Sequence, residues 1–381
     1  MNESLLFEAI AAAVADTPIS EKSISAEELE ALYKIAKKHD LAHIVGYILD
    51  KNGLLDASPV SDKFKKQVYL ALYRYQQLNH EFGAICSVLE NEKIDYIPLK
   101  GSVIRDLYPE PWMRTSCDID ILIKREELER AVDSLVKTLN YSSNEITYHD
   151  ISLFSESGVH LELHFNINEN MKNIDPLLDK VWENSCLTEG TNHRYDMTPE
   201  FFVFHHIAHM SYHFVYGGCG IRPFIDLYLL RKKLKFNAEV LDGFLDECGL
   251  KKFYESVLDL SEVWIGEQVH NETTEQIEDY ILRGGVYGSF ENKVPTLQQL
   301  KGGKFKYILY KTFIPYEVLK YQYPVIQKHK WLTPIMHVRR WIRVLFKRTT
   351  AKDLKYNNNI DQEQAQKTKN MLVNIGLIDQ K

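Results

Sequence analysis

No stretch of this chain is apolar for the ~18 residues that a membrane-spanning helix needs, and no pair of its cysteines has the spacing of a zinc ribbon or a redox dithiol. The five cysteines, Cys86, Cys117, Cys186, Cys219 and Cys248, are scattered and odd in number. That argues against a disulfide framework and fits a reducing compartment. The N-terminal M-N-E-S-L-L-F-E-A-I lacks the Lys or Arg with which a secretory signal begins. Internal repeats are missing, and the polar C-terminal end is the only low-complexity stretch. The expectation is a cytoplasmic globular protein, and 381 residues suffice for two or three packed units.

Charge is unevenly spread. The stretch Lys301 to Lys355 holds fourteen Lys or Arg against Glu317 and Asp353, so a net charge of −7 leaves the remainder near −19. Within it, W-L-T-P-I-M-H-V-R-R-W-I-R-V-L-F-K-R is basic and amphipathic, with Trp331 and Trp341. Two readings are open: peripheral attachment to a membrane surface or acidic partner, or docking on the protein's own acidic face.

Hydrophobic periodicity divides the chain into four regions. Residues 1–92 read as helices; S-A-E-E (Ser25 to Glu28) has capping-box spacing, and a long helix runs from about Asp62. Residues 93–190 read as a small mixed sheet in the order strand, helix, strand, helix, strand, strand. Its last two strands are D-I-S-L-F-S and V-H-L-E-L-H-F. Residues 191–295 return to helix after Thr198-Pro199-Glu200 and are expected to line a cleft, while 296–381 form the basic amphipathic region. The fold class is therefore α+β, a mixed-sheet core flanked by N- and C-terminal helical regions. R-G-G-V-Y-G-S (Arg283 to Ser289) follows no strand and reads as a turn between helices.

The chemistry sits in the sheet. In R-T-S-C-D-I-D-I-L-I, Asp118 and Asp120 alternate with apolar residues and share one face of a strand. In V-H-L-E-L-H-F, His160, Glu162 and His164 occupy one face and Val159, Leu161 and Leu163 the other. If the two strands are neighbours, Glu162 completes a three-carboxylate cluster. Such a cluster raises the pKa values of its members unless divalent cations occupy its centre, and hard oxygen ligands favour Mg²⁺ or Mn²⁺ over zinc. Upstream, Gly101 and Ser102 end a strand and open a helix, a ready phosphate cradle, with Lys100 and Arg114 flanking it.

K-G-S, then D-I-D, then a third acid on a later strand resembles the DNA polymerase beta-type nucleotidyltransferase superfamily. More narrowly, P-L-K-G-S, R-T-S-C-D-I-D-I-L-I, H-L-E-L-H-F and the His-rich helix before R-P-F-I-D-L resemble a bacterial family of largely uncharacterised nucleotidyltransferases, from about Leu29 to the arginine-rich tail. The stretch between Ser102 and Asp118 is longer than the superfamily's usual spacing, and Glu162 stands where many relatives carry Asp. The resemblance implies two-metal phosphoryl transfer. Asp118 and Asp120 bridge two Mg²⁺ ions, Glu162 serves the second ion and the acceptor hydroxyl, and Lys100, Gly101, Ser102 and Arg114 receive the NTP. The acidic body argues for a small-molecule or peptide acceptor over a nucleic acid.

Rival readings accompany these. Asp118 and Asp120 also suit the solvated face of an edge strand, and Lys100 and Arg114 suit surface charge. His205, His209 and His213 share one helix face with His206 beside it. They read as cleft-lining or polar-core groups, with zinc as the alternative and Asp226 as a cap or partner for one of them. A non-catalytic nucleotide-binding or toxin–antitoxin-type regulator on the same fold is the alternative function.

Overall fold

The computed structural model describes residues 2–147, 149–286, 288, 297, 304–323, 325–345 and 362–378. Three helices open the chain: α1 (Asn2–Ala15), α2 (Ala26–Lys38) and α3 (Ala42–Lys51). The capping box expected at α2 is present. Ser25 Oγ accepts from the Glu28 N–H, and the Glu28 carboxylate accepts from the Ser25 N–H at 3.0 Å. Helix α4 (Pro59–Asn91) starts three residues ahead of the expected Asp62. Ser58 caps it and Pro59 occupies its first turn, where the missing N–H has no cost.

The mixed sheet follows, confirming the α+β class. Strands β1 (Tyr96–Pro98), β2 (Asp118–Ile123), β3 (Ser142–Ile146), β4 (Asp150–Phe154) and β5 (His160–His164) lie in the order β1-β2-β5-β4-β3. All neighbours are antiparallel except β2 and β5, which run parallel. The one-turn helix α5 (Gly101–Ile104) follows β1, and α6 (Leu128–Leu139) follows β2. Strand β3, with the sequence S-S-N-E-I, was not expected, because it offers no run of alternating apolar residues. The strands β6 (Ser185–Leu187) and β7 (Tyr195–Met197) form a further small hairpin sheet.

Alternation along the strands decides what each face meets. Ile119, Ile121, Leu161 and Leu163 are fully buried and pack with Ile85 and Leu89 of α4 and Leu135 of α6. The opposite face of β2 and β5 carries the acids and histidines. Farther along β2 on that same face, Leu122 joins a second and larger core.

That larger core is built from helices on both sides of the sheet in sequence. After the hairpin come α8 (Pro199–Val215), α9 (Arg222–Lys233), α10 (Ala238–Cys248), α11 (Lys251–Ile265) and α12 (Glu272–Arg283); a one-turn α7 (Asp175–Leu178) precedes it. Phe7 of α1 stacks on Trp264 of α11 at 4.5 Å between ring centroids, and Trp264 meets Phe224 of α9 at 4.8 Å. Thr198 caps α8 by accepting from the Phe201 N–H. Of the glycine-rich turn after α12, residues 284–286 and 288 are described; Gly288 N–H donates to Gly285, and Val286 accepts from Gly220 at 3.0 Å.

Candidate active site

Strands β2 and β5 pair in a register that sets Asp118 beside His160, Asp120 beside Glu162 and Leu122 beside His164. Cross-strand neighbours project from the same face, so the three carboxylates and two imidazoles converge. Two overlapping groups have ligand atoms within 4.8 Å of one another: Asp118, His160 and Glu162, and Asp120, Glu162 and His164. His164 Nε2 donates to Asp120 Oδ1 at 3.0 Å and lies 3.5 Å from Glu162 Oε2. His160 Nδ1 lies 3.8 Å from Glu162 Oε1.

The two aspartates differ electrostatically. Burial, reinforced by the charges of Asp120 and Glu162, pushes the Asp118 carboxyl up to about 6. Burial also acts on Asp120, but the His164 hydrogen bond and the Lys100 charge outweigh it and hold that carboxyl well below the usual range. For His164, burial opposes the cation, yet its bonds to Asp120 and Glu162 win and raise it to about 9. In this arrangement an imidazolium neutralises Asp120 and Glu162 from inside the protein, and Asp118 is left without a comparable partner.

The loop from β1 places the basic groups. Leu99 N–H donates to Asp120 C=O at 3.0 Å, so the chain turns away beside the acid. Lys100 then adopts φ +38°, a left-handed conformation that is costly for a residue with a Cβ. Its charge is felt by Asp118 and Asp120 on one side and by His205, His209 and His213 on the other. A Cβ on Gly101 would meet Ser116 Cβ at 3.3 Å, so the backbones approach closely there. Ser102 Oγ is buried with no hydrogen-bond partner, an orphaned donor that a ligand oxygen could satisfy. The Ser102 and Val103 N–H groups are engaged in the turn, donating to Leu99 and Lys100.

Arg114 and Asp226 meet each other. Arg114 Nε donates to both Asp226 oxygens at 3.0 Å, and Tyr108 Oη donates to Asp226 at 2.7 Å. Asp226, expected to cap or pair with one of the histidines, offers its buried carboxylate to Arg114 and Tyr108. Arg114 Nη1 donates to its neighbour Thr115 C=O at 2.8 Å. The guanidinium is thus built into the wall of the site by one ion pair.

Helix α8 presents the histidines to a cavity of about 140 Å³ lined by His205, His209, Lys100, Arg114 and Asp226, among others. His209 Nδ1 lies 2.6 Å from Glu169 Oε1, and its Nε2 lies 2.9 Å from His213 Nε2. His206 Nε2 donates to Pro223 C=O at 2.9 Å. Burial, with help from Lys100, holds His205 and His209 well below the ordinary imidazole range, so both are neutral at pH 7. Glu169 was missed from sequence: N-I-N-E-N-M carries no periodicity or motif, and its partner lies 40 residues on. Arg222, paired with Asp40, was missed likewise.

Residues 25–266, more than half of the chain, match a family described as uncharacterised nucleotidyltransferase. No curated protein matches the chain.

Proposed function

We propose that this chain, which belongs to that uncharacterised nucleotidyltransferase family, moves a nucleoside monophosphate from an NTP to an acceptor hydroxyl on a small molecule or peptide. It does so in the manner of the DNA polymerase beta-type superfamily. The observation that carries this reading is the parallel register of β2 and β5, which sets Asp118, Asp120 and Glu162 on one face with ligand atoms within 4.8 Å of each other in two groups.

The donor set suits two Mg²⁺ or Mn²⁺ ions. It offers hard carboxylate oxygens, and the Asp118 carboxyl resists ionisation through burial and the neighbouring charges of Asp120 and Glu162. Asp118 and Asp120 would hold both ions and Glu162 one of them; such ions neutralise phosphate charge and acidify a bound hydroxyl. Lys100 and Ser102 Oγ receive triphosphate oxygens, and Gly101 keeps the backbone close. Glu162 orients the acceptor hydroxyl and takes its proton. The acceptor oxygen forms a bond to the α-phosphorus in line as the bond to the bridging oxygen breaks, and pyrophosphate leaves with that electron pair. His164 keeps Asp120 ionised and oriented.

Titration calorimetry of each NTP, with and without Mg²⁺, tests the site. Wild type is expected to bind triphosphate only with the metal, and Asp118→Ala/Asp120→Ala to lose that binding. Equal binding by the double variant would remove the reading.

A further inference from the structure

We propose that the basic helical unit between residues 304 and 345 is a surface that adsorbs to anionic membrane lipid. Ten of the nineteen exposed large apolar side chains among the described residues lie between Phe305 and Ile342, so the exposure is concentrated in one short segment.

The unit has a core of its own and touches the body through Tyr307. After the helix Lys304–Thr312, the helices Tyr316–Gln322, Val325–Lys328 and Thr333–Leu345 gather around a small core of Leu319, Tyr323, Ile326 and Met336, separate from the two larger cores. Trp341 Nε1 donates to Thr312 C=O at 2.7 Å, and Phe313 meets the Trp341 ring edge-on at 5.3 Å. Beyond it, Met371, Leu372 and Ile375 return to the main core. The segment is therefore an excursion whose outer side chains are not needed to hold the body together.

The outer face has a consistent layout. Phe305, Ile308 and Leu309 share one side of their helix at helical spacing, and Phe313, one residue past its end, continues the series. Tyr307 points the opposite way and is buried against Leu297 and Tyr216, which turns the apolar stripe away from the body. Lys306 borders that stripe at helical spacing, while Lys311 Nζ lies over the Tyr307 ring. On the last helix Ile335, Val338 and Ile342 are exposed at i, i+3 and i+7, with Arg339 and Arg343 beside them and Trp331 just before. Residues 304–345 contain nine Lys or Arg and one acid, Glu317.

An apolar stripe bordered by cations matches a surface whose anionic headgroups lie above hydrocarbon. An acidic protein would answer the charge and leave the aliphatic stripe unmatched. A nucleic acid offers stacking faces to Phe305 and Trp331 but nothing to Ile335, Val338 and Ile342. No helix among the described residues is long and apolar enough to cross a membrane, so the contact is adsorption.

The test is co-sedimentation of the full chain with vesicles of phosphatidylcholine alone, or of equal parts phosphatidylcholine and phosphatidylglycerol, at low and high salt. Binding is expected only to the mixed vesicles and to weaken with salt. Ile335→Ser/Val338→Ser/Ile342→Ser and Arg339→Glu/Arg343→Glu are each expected to cut it about tenfold, both with unchanged NTP binding and the serine variant with unchanged thermal unfolding, since Arg339 and Arg343 also lie over the Tyr323 ring. Absence of sedimentation, equal binding to both vesicles, or indifference to both variants would overturn the proposal. Binding to poly(U), lost in the same variants while vesicles are ignored, would overturn it in favour of nucleic acid.

Discussion

Replacing Asp118 by Asn is expected to stabilise the metal-free protein at neutral pH while removing the metal-dependent nucleotide transfer proposed above. Burial, then the charges of Asp120 and Glu162, raise the folded-state carboxyl from 3.8 to about 6. A shift of that size opposes the folded state by on the order of 3 kcal/mol once the group is ionised. The sign follows from proton binding. The folded protein holds this proton more tightly than the unfolded chain, so the contribution favours folding fully below about pH 4 and is lost as pH rises through about 6. Asn carries no charge and escapes the loss. Calorimetric unfolding in EDTA is therefore expected to show Asp118→Asn melting roughly 5 °C above wild type at pH 7, with the gap closing near pH 4. Adding Mg²⁺ should raise the melting temperature of wild type and leave the variant where it was. A variant no more stable than wild type at pH 7, or a gap that does not change with pH, would refute the reasoning that Asp118 sits under electrostatic strain.

Three further outcomes are expected. His164 is raised to about 9 by Asp120 and Glu162 against its burial, so its stabilisation is complete below about pH 6.5 and is lost as pH rises through 9; urea midpoints of metal-free wild type should fall across that window, and those of His164→Gln should not. Asp226→Ala leaves the largely buried Arg114 guanidinium without its fully buried carboxylate, and equilibrium urea unfolding should record a loss of about 3–5 kcal/mol, whereas a loss below about 1 kcal/mol would mean that the pair is dispensable. Ser102→Ala removes a buried hydroxyl that makes no bond within the protein, so folding stability should hold or rise slightly while Mg²⁺-dependent NTP affinity falls about tenfold, the worth of one hydrogen bond to a charged group.

The parts of the site legible in the sequence were those written in local alternation. V-H-L-E-L-H-F separates its two faces by period two, and D-I-D does the same, so both polar faces could be assigned before any pairing was known. The pairing itself is long-range. After β2 the chain passes through α6 and two antiparallel strands before β5 returns parallel to β2, and no turn motif specifies such a crossover. Strand β3 was illegible because S-S-N-E-I forms the sheet's outer edge, where polar residues cost nothing. The Arg114–Asp226 pair joins residues 112 apart in sequence. Arg114 reads as a phosphate contact because it stands between the Gly101–Ser102 pair and the aspartates in sequence; its carboxylate arrives on α9, in the same core as Tyr108 and Met113.

The arrangement of β5 answers the question that the two aspartates raise. Like charges on one strand face need compensation, and the fold supplies part of it itself: His164, on the neighbouring strand, is held cationic between Asp120 and Glu162. This lets the acid face fold without waiting for an ion, since Asp120 and Glu162 are already partly neutralised. Asp118 receives no equivalent, because its cross-strand neighbour His160 lies with Nδ1 3.8 Å from Glu162. One aspartate is therefore fixed in its ionised form and the other stands close to its titration midpoint. Under the proposed two-metal reading a cation would gain most at Asp118, whose carboxyl is held up by burial and by the charges of Asp120 and Glu162, and Asp118 would then be the residue at which stability and function are set against each other.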